Sequence, residues 1–106
     1  MTRLTLAACA LLCGFSAATA DQSASITKSG HKFSPSTVTV KAGEKVALSI
    51  TNAGSDAAEF ESSELNREKV IPPGKTVTIY VGPLAPGSYP FFDDFDSAAS
   101  GTIVAK

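Results

Sequence analysis

Apolar and polar residues alternate one by one along most of this chain, in short runs rich in Val, Ile and Thr that end at Gly, Pro or Asn. A period of two puts every second side chain on the same side of an extended backbone, so each run describes a strand with one buried face. Residues 45–51 place Val46, Leu48 and Ile50 on one face, and residues 75–81 do the same with Val77, Ile79 and Val81. Further strands are expected at 25–28, 37–40, 58–61, 88–92 and 101–105. Between them, Gly43, Gly74, Gly87 and Gly101 read as turn glycines. The stretch 62–66 has room for one helical turn capped by Ser62 or Ser63. Short strands repeating at about 8–12 residues predict an all-β fold, a Greek-key β-sandwich of about seven strands.

The N-terminus belongs to a different pattern. Arg3 is followed by the apolar run Leu4 to Phe15 and then by small residues closing on Ala18-Thr19-Ala20. This predicts a cleaved secretory signal peptide over residues 1–20 and a periplasmic domain over residues 21–106. A lipoprotein leader ending at Leu6-Ala7-Ala8-Cys9 is the competing reading, but its apolar stretch would be very short. Both cysteines, Cys9 and Cys13, lie in the leader, so neither a disulfide nor a thiolate metal site is expected after cleavage. The whole chain carries a net charge of −1, with no basic stripe of the kind nucleic acid requires and no second hydrophobic segment to span a membrane. No Gly-rich phosphate loop or Ser-His-Asp arrangement points to an enzyme.

What stands out chemically is Phe91-Phe92-Asp93-Asp94-Phe95-Asp96, three carboxylates interleaved with aromatics. Carboxylates this close repel one another unless a cation or a donor offsets them. A second acidic pair, Glu59 and Glu61, flanks Phe60, and the strand period turns both glutamates to the face opposite the phenylalanine. Two readings stand side by side: a metal site built from both segments, or a solvated acidic surface. His31, the single histidine, is either a ligand or donor near the cluster or an exposed loop residue.

The string His31-Lys32-Phe33-Ser34-Pro35, residues 38–46, Asn52, residues 71–75 and Gly87-Ser88-Tyr89-Pro90-Phe91 resembles the cupredoxins almost end to end. Residues 58–62, 65–70, 81–84 and 91–95 resemble, within them, the subgroup found with bacterial iron-permease systems and in periplasmic iron-uptake proteins. The resemblance carries the cysteine position of a blue-copper site onto Asp93, the second histidine onto Asp96, the methionine onto Ala99 and the early histidine onto Glu59. Every blue-copper ligand is then replaced, and without a thiolate that site cannot form. The subgroup also looks to carry a histidine where Asp96 stands, which leaves this chain a more purely oxygen-donor set.

Hard carboxylate oxygens favour iron or manganese, or cupric copper, which binds most such sites tightly. The resemblance therefore implies a metal-binding accessory protein of periplasmic metal uptake, with iron or copper as its ion and a membrane iron permease or another uptake protein as its partner. Glu59, Asp93 and Asp96 are the candidate ligands, supported by Glu61, Asp94 and His31. The rival is a metal-free interaction module that docks through its C-terminal Pro- and Phe-rich loops onto a transporter or periplasmic partner.

Overall fold

The computed structural model describes residues 19–106; most of the expected leader, with both cysteines, lies outside the described residues. Nine strands follow one another: β1 (Gln22–Ser29), β2 (Lys32–Ser34), β3 (Thr37–Val40), β4 (Val46–Asn52), β5 (Ala58–Ser62), β6 (Arg67–Ile71), β7 (Thr76–Val81), β8 (Gly87–Asp93) and β9 (Asp96–Ala105). They form a four-stranded sheet in the order β2-β1-β4-β7 and a five-stranded sheet in the order β3-β9-β8-β5-β6. The pairs β1·β4 and β3·β9 are parallel and all others antiparallel, so the chain crosses repeatedly between the two layers. No helix among the described residues is long and apolar enough to cross a membrane.

Alternation decides which residues make the core. On β4, Val46, Leu48 and Ile50 are fully buried, and they stand directly opposite Val81, Ile79 and Val77 of β7. On the other side, Ile50 pairs with Ile26 of β1, which completes an apolar layer three strands wide. The five-stranded sheet answers with Val38, Val40, Phe60, Phe91 and Ile103. Phe91 is its centre, stacked on Phe60 with ring centroids 5.1 Å apart and meeting Phe33 edge-on at the same distance.

Three local expectations change. Strands β2 and β6 join the seven that alternation picks out, because β2 has only three residues and the first four residues of β6 are all exposed on a sheet edge. The segment before β6 is a hydrogen-bonded turn rather than a helical one: Asn66 N donates to Ser63 O, and the backbone of Asn66 is left-handed at φ 55°. The expected capping role of Ser62 survives, since its buried Oγ accepts from Leu65 N and donates to Pro90 O.

Gly101 is no turn glycine. It lies within β9, directly opposite Phe91, and a Cβ there would sit 2.5 Å from Phe91 Cζ and 2.7 Å from the backbone oxygen of Ser36. The glycine makes room for the ring at the centre of the core. Gly43, by contrast, does sit in a turn at φ 83°, where it links β3 to β4 across the two layers and donates its N–H to Leu84 O. Gly101→Ala is expected to cost about 2–3 kcal/mol, the upper part of the overpacking range, because one of the colliding atoms is backbone and cannot swing away. Urea unfolding of the two proteins measures it; equal midpoints would show that Phe91 is free to move off the glycine.

Candidate metal centre

The acidic segment lies where β5, β8 and β9 meet. Phe60 of β5 pairs with Asp93 at the end of β8, so the two acidic stretches of the sequence are neighbours in one sheet. The ladder between β8 and β9 shifts register between Phe92 and Asp93, and the chain turns into β9 at Asp96. Alternation continues through this point. Phe91 and Asp93 face inward and are buried, whereas Asp94 is exposed on the outer side. The same rule on β5 buries Ala58, Phe60 and Ser62 and turns Glu59 and Glu61 outward.

Two clusters of opposite character result. On the outer face, Glu59, Glu61 and Asp94 converge, with one carboxylate oxygen from each lying within 4.8 Å of the others. Glu68 of β6 stands directly opposite Glu61 and adds a fourth carboxylate, a like-charge pairing that is unfavourable in a ladder. None of the ion pairs among the described residues reaches these groups. Arg67 does not offset them; its Nε donates to Tyr80 O and another guanidinium nitrogen to Asn66 O. Desolvation, followed by repulsion from Glu68, raises the pKa of both Glu59 and Glu61 above the ordinary 4.5. An unneutralised carboxylate cluster of this kind fits a hard cation, which needs several oxygen donors close together.

On the inner side, Asp93 is completely buried. Its Oδ1 accepts from the backbone N–H of Glu59, at 2.8 Å, and of Phe95, at 2.9 Å. Its Oδ2 receives no hydrogen bond, but the ammonium of Lys28 lies 3.3 Å away. The same ammonium is 3.2 Å from Asp96 Oδ2, and that oxygen is also 2.7 Å from Nδ1 of the largely exposed His31. Burial opposes the charge on Lys28, yet its contacts with Asp96 and then Asp93 outweigh that cost and raise its pKa above 10.5. His31 and then Lys28 hold Asp96 below the ordinary 3.8 against desolvation. Deleting one partner of a buried pair such as Lys28 and Asp93 leaves an uncompensated charge, at a cost of about 3–5 kcal/mol.

The six candidates from the sequence therefore separate into Glu59, Glu61 and Asp94 on the outer face and a second group of buried Asp93, partly buried Asp96 and exposed His31. Of the four positions that the resemblance sets at a blue-copper centre, Glu59 turns its carboxylate to the outer face, and the inward position beside it on β5 is Ala58. Ala99 is fully buried. With no thiolate, and with an ammonium between its two aspartates, the inner site does not fit blue copper. Lys28 and Glu68 escaped the sequence reading. Glu68 could have been found only through its pairing with Glu61, whereas alternation puts Lys28 on the same face of β1 as Ala24 and buried Ile26, an inward place for a charge that calls for a partner.

The profile of the cupredoxin-like domain matches residues 2–105. The chain belongs to the cupredoxin-like domain family. A relative from Rickettsia prowazekii, described as an uncharacterized protein, is 42% identical over 82 residues, which cover 76% of this chain and 66% of that one. This cupredoxin-like chain thus spans just under two thirds of that relative's length. Solved structures share the fold at low identity. The metal-binding domain of the Cu(I)-exporting P-type ATPase of Streptococcus pneumoniae superposes with a TM-score of 0.72 at 14% identity, covering 79% of this chain and 84% of that one. Auracyanin A, a blue copper protein of Chloroflexus aurantiacus, gives 0.67 at 12% identity over 79% and 98%. A purple cupredoxin from Nitrosopumilus maritimus gives 0.61 at 16% identity over 78% and 99%.

The raised pKa values of Glu59 and Glu61 set a sign for the pH dependence of this cupredoxin-like domain. A group whose pKa is higher folded than unfolded favours the folded state at low pH, and that contribution is lost as pH rises through the folded value. Without added cations, acidification from neutrality toward 4.5 is therefore expected to stabilise the protein through these two residues. Asp96, whose pKa is lowered, works against this only as pH falls below 3.8. Glu61→Gln should raise the melting temperature at neutral pH and flatten the gain on acidification. Melting curves across this range check both, and a variant that melts lower at neutral pH would show that the outer carboxylates do not repel.

Proposed function

We propose that this protein is a periplasmic metal-binding accessory protein of metal uptake, and that iron is the ion it carries. Glu59, Glu61 and Asp94 on the outer face are the ligands, and Glu68 adds charge beside them. The single observation that carries this reading is the convergence of three carboxylate oxygens within 4.8 Å with no cationic side chain in ion-pair contact among the described residues. Hard oxygen donors match ferrous or ferric iron better than cuprous copper, which prefers sulfur. A bound ion would supply the positive charge that these carboxylates lack.

Further support comes from the leader pattern of residues 1–20, which fits export to the periplasm, and from the motifs at 58–62, 65–70 and 91–95, which resemble those of proteins accompanying iron permeases. In this role the protein collects the ion and passes it to a membrane iron permease. The exposure of the cluster suits transfer: Asp94 is exposed and both glutamates are partly so, which lets a partner's ligands reach the ion. Nothing in the donor set favours fast electron exchange, and the chain is not assigned a reaction of its own. The rival reading, an interaction module without metal, draws its support from Phe95, which is 57% exposed on the turn between β8 and β9.

Calorimetric titration of the mature protein with Mn(II), and with Fe(II) under anaerobic conditions, separates the two. One ion per chain is expected, with affinity falling about tenfold or more in Glu59→Gln/Asp94→Asn. Absence of stoichiometric heat from either ion would remove the metal reading and leave the docking module.

A further inference from the structure

We infer that Asp93, Asp96 and His31 form a cation cradle whose resident cation is the ammonium of Lys28, and that this side chain keeps a divalent metal ion out of it. The cradle is distinct from the outer carboxylate cluster and does not depend on that cluster binding metal.

The geometry is that of an ion held by ligands. Lys28 Nζ lies almost midway between two carboxylate oxygens, 3.3 Å from Asp93 Oδ2 and 3.2 Å from Asp96 Oδ2. An ammonium carries three N–H donors, so one cation can serve both carboxylates at once. Asp93 Oδ2 is fully buried, points at this position and receives no hydrogen bond from any donor. The other oxygen of Asp93 is fixed by two backbone N–H groups, which sets the direction of Oδ2. His31 Nδ1 contacts the same oxygen of Asp96 that the ammonium approaches, so an imidazole nitrogen stands at the rim.

With the ammonium gone, two carboxylate oxygens face the space it leaves, and His31 Nδ1 stands 2.7 Å from one of them, Asp96 Oδ2. Imidazole with carboxylate suits a borderline divalent ion, cupric copper above all in the divalent series. A surface depression lined by Lys28, Gly30, His31, Asp56, Phe95 and Asp96 lies over the cradle and provides a path from solvent. The tethered ammonium has the advantage of local concentration: it belongs to β1 and never leaves, so an external ion must displace it as well as shed its own water. Substitution of one side chain therefore converts an internal ion pair into a metal site.

The test is Cu(II) binding to the mature wild-type protein and to Lys28→Ala, followed by calorimetry and electron paramagnetic resonance. His31 is the single histidine of the chain, so histidine nitrogen coupling to copper reports binding at His31, while the outer cluster offers only oxygen. Lys28→Ala is expected to bind one more Cu(II) per chain than the wild type, with nitrogen coupling that disappears in Lys28→Ala/His31→Ala. A folded Lys28→Ala with no added copper equivalent, or a wild type whose first copper already shows coupling to His31, overturns the inference. Should Lys28→Ala fail to fold alone, it is refolded from denaturant with and without one equivalent of Cu(II). Copper-dependent folding supports the cradle, and failure under both conditions refutes it. Loss of metal binding by the outer carboxylates would leave the nitrogen-coupled signal in place, so the two readings fail separately.

Discussion

A buried carboxylate has to be neutralised, and in this protein that requirement falls on Asp93. One of its oxygens ties the start of β5 to the turn after β8 through two backbone N–H groups, and the other requires a positive charge in a place water does not reach. Lys28 supplies it from the end of β1 in the opposite sheet. The ion pair therefore couples the two layers at one end of the sandwich, as the edge-on rings of Phe33 and Phe91 couple them in the core behind it. Asp96 and His31 extend the pair toward solvent, so the charge network runs from a fully buried atom to an exposed ring.

The same alternation that builds the core divides the acidic residues. Asp93 and Asp94 are adjacent in sequence yet face opposite sides of the sheet, and Glu59 is carried outward with Asp94 although its own N–H bonds to Asp93. The inner group is electrically satisfied by the protein itself. The outer group is not: desolvation, then repulsion from Glu68 and Asp94, raises the pKa of Glu59 and Glu61, and the strand pairing that sets Glu61 against Glu68 deepens the excess negative charge. Such a division leaves the framework shared with copper proteins intact while the unneutralised charge lies on the outer surface of one sheet.

Strands with one wet face announced themselves in the sequence, as β4 and β7 do with their strict alternation of Val, Leu and Ile against polar residues. The outward orientation of Glu59 and Glu61 around a buried Phe60 followed from the same rule, and the cupredoxin motifs led to the family. Strand β6 was invisible because an edge strand exposed along most of its length has no alternation to read. Gly101 looked like a turn because its purpose, to admit the ring of Phe91, exists only in the folded pairing. Lys28 was hidden for a related reason. Its partners lie more than sixty positions away; its place after Ala24 and Ile26 on the inward face of β1 marks it as a charge that needs a partner, but not which acids it meets. Clustered acids were evident at once, but which of them share a space depends on a single turn between β8 and β9.

A crystal of residues 21–106 soaked in Mn(II), with an anomalous difference map at the manganese edge, tests the division most directly. The account predicts one peak among the carboxylates of Glu59, Glu61 and Asp94, with the ammonium of Lys28 still seated between Asp93 and Asp96. A peak between those two aspartates, with Lys28 swung aside, would contradict it.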